Sequence, residues 1–579
     1  MVQCRLLTQV ISVATAVAIT VGSMAGMLGS RPVAAEVAVP ASAAYAPADA
    51  MVYVDLDLDV LSPQWLQTYV LLARLGFELS AETLFSTAAG MATGDEALDV
   101  APFLGGSAAL VLRNVDVDAA TGGDGLGSIT DLVTGAGDAA DLGDAAADVD
   151  LGDAAALAGA GGFSIVLIPA DLEGGEAAIA ASMATETLET VEYEGIVVTG
   201  YEGDAITGES GMWYAVVDDA IVLGAIVDDV TAVIDVANGD QPSMADRPEL
   251  EELLPLLPEE RIAMGVLNGP ALGATATDTG DEAGVPVALE INGFTAFTVS
   301  TESDGVRVQS RTVGVDGKPT AGTAPAFDPT IVERMPAGTA LYTDGPSFAG
   351  TGLFDLVAGL LGALLMPADP GSRAAPATSA DIFATLGMLL GIDLQGDFID
   401  NLNGEYGFGL WGLDPMNPAG IGAALVATTD EPLAVGGVVA GLTTFVALGA
   451  QGAVAVTPTM IGGSLFSRID LAGSGLPITV DLGVSDDAFV LGFGDGAEIV
   501  VEGPDASLAE DPRFVAAMED MPAERNGLLY IDLGLLLTAL GPATESGELA
   551  VGTLGALAVV GWVDGDYPAV TAFISIPEA

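Results

Sequence analysis

Three short motifs occur twice in this chain, in the same order, and this repetition constrains the fold more than any other feature. Pro47-Ala48-Asp49-Ala50-Met51-Val52-Tyr53 returns as Pro336-Ala337-Gly338-Thr339-Ala340-Leu341-Tyr342. Asp218-Asp219-Ala220-Ile221-Val222-Leu223-Gly224 returns as Asp486-Asp487-Ala488-Phe489-Val490-Leu491-Gly492. Leu257-Pro258-Glu259-Glu260-Arg261 returns as Met521-Pro522-Ala523-Glu524-Arg525. The copies are separated by 289, 268 and 264 residues, a drift that a few insertions explain. Two homologous modules are expected, residues 45–320 and 330–579.

Local patterns make each module a mixture of strand and helix. Val52 to Leu58 alternates Val, Val, Leu and Leu with Tyr, Asp and Asp, the period of a half-buried strand. Ser62-Pro63 supplies an N-cap and a first-turn proline, and Trp65, Tyr69 and Leu72 fall on one face of the helix that follows. Phe163 to Ile168 reads as a strand, Glu176 to Leu188 as a helix and Val191 to Thr199 as a strand. Trp213 to Val217 and Ile221 to Ile226 flank Asp218-Asp219-Ala220 as a hairpin. Ile262 to Leu267 is a further strand, and Phe294 to Val299 with Val306 to Val313 forms a hairpin about Asp304-Gly305. The expected fold class is α+β: two tandem homologous modules, each a largely antiparallel sheet with helices packed on one face.

Three stretches stand apart. Residues 117–162 form an acidic insertion of Asp, Ala and Gly that the second module lacks, and with Asp116 just before it ten aspartates lie from Asp116 to Asp153. Residues 1–35 read as a signal peptide or an N-terminal anchor. Arg5 precedes an apolar run over residues 6–29, and Val33-Ala34-Ala35 offers small residues for cleavage. The same run is long enough to stay in a membrane. Leu433 to Val456 is also uncharged, but its counterpart in the first module carries five glutamates, so it is expected to be a buried helix and strand.

Composition narrows the chemistry. The chain has 81 acidic and 14 basic residues, a net charge of −67, no histidine and a hydrophobic fraction of 51%. Histidine triads and histidine metal sites are excluded. A single lysine, Lys318, and a single cysteine, Cys4, leave little room for Schiff-base or thiol chemistry. So negative a surface repels nucleic acid and anionic membrane surfaces. The acidity fits a chain kept soluble in high salt, and equally a GC-rich genome.

Motifs that carry chemistry elsewhere are weak here. Asp218-Asp219 and Asp486-Asp487 suit tight turns better than cation sites. Asp55, Asp57 and Asp59 share a strand face and have the oxygens for Ca²⁺, but no closing glutamate follows, and a solvated face explains them. The glycines from Gly122 to Gly127 lack the Lys-Ser/Thr of a phosphate loop. Gly208-Glu209-Ser210-Gly211 lacks the spacing of a nucleophile elbow. No catalytic, cofactor-binding or metal residue is assigned, and no cofactor is expected. Arg261 and Arg525 hold the same place in both modules of a chain poor in arginine. A two-pronged pair with a buried carboxylate is expected of each, with a ligand carboxylate as the alternative.

Pro47-Ala48-Asp49 leading to Tyr53, then Trp65, resembles the bacterial family known as domain of unknown function 3352. Phe103-Leu104-Gly105-Gly106-Ser107 and the Asp-Pro-x-Phe of Asp511 to Phe514 also resemble it. The acidic insertion and Gly338-Thr339 depart from its pattern. The resemblance implies an extracytoplasmic bacterial protein, secreted or held in the envelope, and carries no catalytic residues. The expected role is a non-enzymatic scaffold or binding protein, with a protein and an apolar ligand both open as its partner. The alternatives are a carrier of apolar ligand or lipid, suggested by apolar stretches such as Leu353 to Met366, and a carboxylate-based hydrolase with two facing acids.

Overall fold

The structure is a computed structural model that describes residues 39–75, 101–113, 162–184, 186–203, 211–272, 293–314, 326–348, 387–388, 391, 393–413, 420–449, 454–471, 478–540 and 554–577. The signal or anchor segment, nearly all of the acidic insertion, Leu353 to Met366, Gly122 to Gly127, and Gly208 to Ser210 lie outside the described residues. The chain forms two compact units. One comprises Met1–Thr323, Pro542–Thr553 and Gly561–Ala579; the other comprises Ala324–Gly541 and Leu554–Val560.

The first unit carries strands β1 (Val52–Asp57), β2 (Ser107–Leu112), β3 (Phe163–Ile168), β4 (Glu189–Tyr193), β5 (Ile196–Tyr201), β6 (Met212–Val217), β7 (Ala220–Gly224), β8 (Ala263–Asn268), β9 (Gly293–Glu302) and β10 (Gly305–Gly314). Their antiparallel pairings run β4-β5-β6-β7-β3-β2-β1-β8-β9-β10. The second unit carries β11 (Thr339–Gly345), β12 (Tyr406–Trp411), β13 (Gly422–Thr428), β14 (Ala455–Ile461), β15 (Ser464–Asp470), β16 (Thr479–Ser485), β17 (Ala488–Phe493) and β18 (Gly527–Asp532). These run β14-β15-β16-β17-β13-β12-β11-β18, the order of the first unit's opening eight strands over again. The chain ends in β19 (Ala556–Asp564) and β20 (Tyr567–Ser575).

Two parts of the expected fold class are corrected. Tandem modules with separate sheets were expected, but all twenty strands belong to one antiparallel sheet. The last strand, β20, lies along β10 from Gly305↔Ser575 to Arg311↔Ala569. An unpaired β10 would present a row of free N–H and C=O groups, and β20 satisfies them. Helices were also expected on one face only, and they cover both. Trp213, Ala215 and Val217 of β6 and Ala220 and Val222 of β7 pack into one core. Their neighbours Tyr214, Ile221 and Leu223 pack into another. Successive side chains of a strand point to opposite faces, so two cores mean two covered faces. Helices α1 (Pro63–Arg74) and α2 (Leu172–Ser182) supply Trp65 and Ile179 to the core holding Tyr214. Helices α3 (Val227–Ala237) and α4 (Pro248–Leu253) supply Val233 and Leu250 to the core holding Trp213.

The second unit is built alike. Helix α5 (Pro432–Gly449) packs Val435, Val439 and Leu442 against Leu425 and Leu491. Helices α6 (Gly496–Glu502) and α7 (Pro512–Ala517) pack Val500 and Phe514 with Val426 and Val490. The uncharged stretch from Leu433 is thus helix followed by β14. Val435 and Val439 of the helix are buried, while Leu433 and Ala434 are exposed. Burying one such side chain contributes about 1.5–3 kcal/mol. Among the described residues, no helix is long and apolar enough to cross a membrane.

Burial on both faces also inverts the reading of β1. Its polar side was expected to be solvated, yet Tyr53 is fully buried and Asp55 is 9% exposed, while Val52 and Val54 are only half-buried. The stretch read as one strand from Val191 to Thr199 is a hairpin, β4 and β5, reversing at Glu194-Gly195. Helix α2 starts earlier than expected because Asp171 caps it, accepting from Gly174 N at 3.1 Å.

Candidate functional site

The strand that opens each unit carries a buried tyrosine and a buried aspartate. In β1, the Ser42 hydroxyl donates to the Asp55 carboxylate and lies 2.7 Å from the Tyr53 phenol. Ser42 sits in a short turn, Ala41–Ala44, whose buried residues hold it against the strand. Burial pushes the Asp55 carboxyl above its ordinary range, against the Ser42 hydrogen bond and the charge of Arg261. Burial lowers Arg261, and the charges of Asp55 and Tyr53 oppose that shift. Arg261 also donates to the Pro258 carbonyl at 3.3 Å.

The matching place in β11 carries Tyr342 and Asp344. Arg525 Nη2 donates to Asp344 Oδ2 at 2.7 Å, with side chains 8% and 0% exposed. Burial raises the Asp344 carboxyl, and the charge and hydrogen bond of Arg525 oppose it. Nearby Tyr406 is pushed up to about 12, chiefly by burial. The structure therefore brings each repeated arginine to the buried aspartate two residues beyond the repeated tyrosine. Arg525 makes one contact to its carboxylate rather than the expected two. Ser42 is matched by Ile331, a fully buried apolar residue, and the backbone there is held by Glu405, which accepts from Thr330 N and Ile331 N at 2.8 Å.

The other candidate residues have local roles. Asp218 and Asp486 both lie at positive φ, 51° and 52°, in the turns β6–β7 and β16–β17. Asp and Asn tolerate that conformation better than other residues with a Cβ. Asp57 accepts from Asp59 N and Asp59 from Leu61 N, which spends both on the turn before α1. Among the described residues, no group of three or more His, Cys, Asp or Glu is placed to hold a metal ion.

Several buried interactions left little trace in the sequence. Arg311 pairs with Asp564 at 2.9 Å, both side chains 3% exposed or less, and its guanidinium lies 4.6 Å from the Trp562 ring. Arg468 grips Asp481 with two contacts of 2.8 and 2.7 Å. Asp229 accepts from Arg113 at 3.2 Å and from Gly162 N at 2.7 Å, and so closes the base of the acidic insertion. Ala497 stands at the matching place in the second unit, which has no such insertion. Ser243 with Asp246 and Ser507 with Glu510 form capping boxes at matching places. That repeat of Ser-x-x-acid, 264 residues apart, was a signal available in the sequence.

The motifs that carried the family resemblance are structural as well. Asp511 caps α7 through Arg513 N at 2.9 Å and accepts from Gly338 N at 2.9 Å. Phe514 then packs edge-on against Tyr530, with ring centroids 5.0 Å apart. Gly105 adopts φ +90°, and a Cβ on Gly106 would stand 1.9 Å from the Ile168 carbonyl oxygen.

Fold and site define an antiparallel-sheet protein whose repeated polar residues secure its own core. The model of the family described as "Protein of unknown function (DUF3352)" matches residues 10–550, and the chain belongs to that family. No curated protein sequence matches the chain significantly. Among solved structures, crystal form I of TP0453 is 11% identical with a TM-score of 0.23, and crystal form III is 14% identical with a TM-score of 0.20. Each match covers 43% of this chain and 80% of the other.

Proposed function

We propose that this protein is a non-enzymatic, extracytoplasmic scaffold or binding protein. The observation that carries this reading is the use of the buried ionisable residues. Asp344 is engaged by Arg525, Asp564 by Arg311, and Asp55 by Ser42, so these acids serve the core rather than a reacting group. Such pairs cost desolvation energy and add specificity more than stability. The lack of histidine and the single lysine support the same reading, since most general acid–base and covalent mechanisms need one or the other. The signal-like run over residues 6–29 supports the extracytoplasmic part, and the repeated motifs and strand order support an origin by duplication.

The test is purification from the native envelope, with mass spectrometry of everything that accompanies the protein. A stoichiometric protein partner is the expected result. A stoichiometric lipid would replace this reading with that of an apolar-ligand carrier.

A further inference from the structure

β4 ends its side of the strand order, and among the described residues it pairs with β5 alone. The hairpin reverses through Glu194 and Gly195, at φ 52° and 82°, and closes on Tyr193 and Ile196. The closing pair of such a hairpin is hydrogen-bonded, and bonded pairs then alternate along it. The N–H and C=O of Thr190 and Glu192 therefore point away from β5. Glu189 through Glu192 are all exposed. Glu189, Glu192 and Glu194 line this edge, and no basic residue occurs between Arg113 and Arg247.

The matching strand of the second unit is different. β14 pairs with β15 about Gly462-Gly463, at φ 55° and 88°. Counted back from the reversal, Pro458 stands where Thr190 stands in β4. Proline has no N–H, so β14 lacks an outward donor at its middle, a common way to close an exposed edge. β14 also carries no charged residue. One hairpin edge is therefore blocked by proline, and the other is open and acidic.

We propose that the open edge of β4 is a docking site for an extended, Lys- or Arg-rich segment of another protein, which adds as a strand beside Thr190 to Glu192. Strand addition draws affinity from main-chain hydrogen bonds and selectivity from side chains at alternate positions. Glu189 and Glu192 disfavour acidic strands and attract basic ones. A second copy of this chain is a poor occupant, because its net charge is −67. This inference rests on the binding role proposed above and names the chemistry of one partner.

The probe is a fluorescent, end-blocked peptide of alternating lysine and valine, followed by anisotropy at about 50 mM NaCl, where the Debye length exceeds about 10 Å. Thr190→Pro leaves the charge unchanged and copies what Pro458 already does in the other unit. It is expected to weaken binding about tenfold or more, through the lost edge hydrogen bond. Glu189→Gln with Glu192→Gln is expected to weaken binding and flatten its salt dependence. Hydrogen exchange on the wild-type protein should show peptide-induced protection at residues 187–195, which keeps the test independent of how well a variant folds. Equal binding by wild type and Thr190→Pro, protection elsewhere, or no binding by the wild type would overturn the proposal. Those results leave the scaffold reading to be judged by the co-purification experiment.

Discussion

Arg525→Ala leaves the Asp344 carboxylate, 0% exposed, without the cation that now lies 2.7 Å from it. Removing one partner of a buried pair costs about 3–5 kcal/mol, because the remaining charge stays out of water. Protonation limits that cost. Burial already holds Asp344 above its ordinary value of 3.8, and loss of Arg525 raises it further. While the folded carboxyl stays protonated, the penalty grows by about 1.4 kcal/mol per pH unit, and it levels off once that carboxyl is ionised. The sign follows from linkage. A carboxyl raised in the native state binds its proton more tightly there than in the unfolded chain. Its contribution is complete below the unfolded value and is lost as pH rises through the folded one. The variant should therefore be penalised more at pH 8 than at pH 5. Urea denaturation followed by tryptophan emission measures this, with Trp411 reporting on the same unit. Arg525→Leu combined with Asp344→Leu should recover stability to within about 1 kcal/mol, since an apolar pair carries no desolvation cost. A loss below about 1 kcal/mol at pH 8, or one independent of pH, would refute the reasoning.

The melting temperature should rise clearly from about 10 mM to 1 M NaCl, as the Debye length falls from about 30 Å to 3 Å, with KCl equivalent; a flat response contradicts the electrostatic reading. Micromolar Ca²⁺ should add little, and a sharp response would reveal a metal site. Lowering the pH from neutrality toward the ordinary carboxylate value of 3.8 should draw a stabilising contribution from Asp55, Asp229 and Asp344, because burial raises all three in the folded state. A melting temperature that falls across that window counts against their burial. Asp218→Gly and Asp486→Gly should be neutral or stabilising by up to about 1 kcal/mol, and Val at either position destabilising by about 1–2 kcal/mol, in chemical denaturation. Unequal effects at the two positions would mean that the turns are not equivalent. Gly106→Ala should cost more than a surface change in the same assay, because its Cβ would meet the Ile168 carbonyl at 1.9 Å.

What could be read directly was local. Ser62-Pro63 starts a helix because a hydroxyl cap and a fixed proline φ act within one turn of chain, and α1 begins there. Asp218 and Asp486 mark turns because a left-handed backbone selects among residue types on the spot. The repeated motifs put Arg261 and Arg525 at matching places in the sequence, but the two tandem modules with separate sheets expected from them are replaced by one sheet of twenty strands. The reversal at Glu194-Gly195 is not legible in the sequence, because that pair is a weaker turn signal than Asn-Gly or Asp-Gly.

Tertiary structure decided the rest. That β20 lies on β10, that both faces of the sheet are covered, and that Arg525 meets Asp344 across 181 residues of sequence depend on which distant surfaces meet. An alternating strand states that its two sides differ, but not which of them is buried. In β1 the side bearing Tyr53 and Asp55 is the more deeply buried, because Ser42 and Arg261 are there to receive it. Hydrogen bonds and charges supplied from elsewhere in the chain can offset the cost of burying a carboxylate, and only the folded arrangement determines where they are.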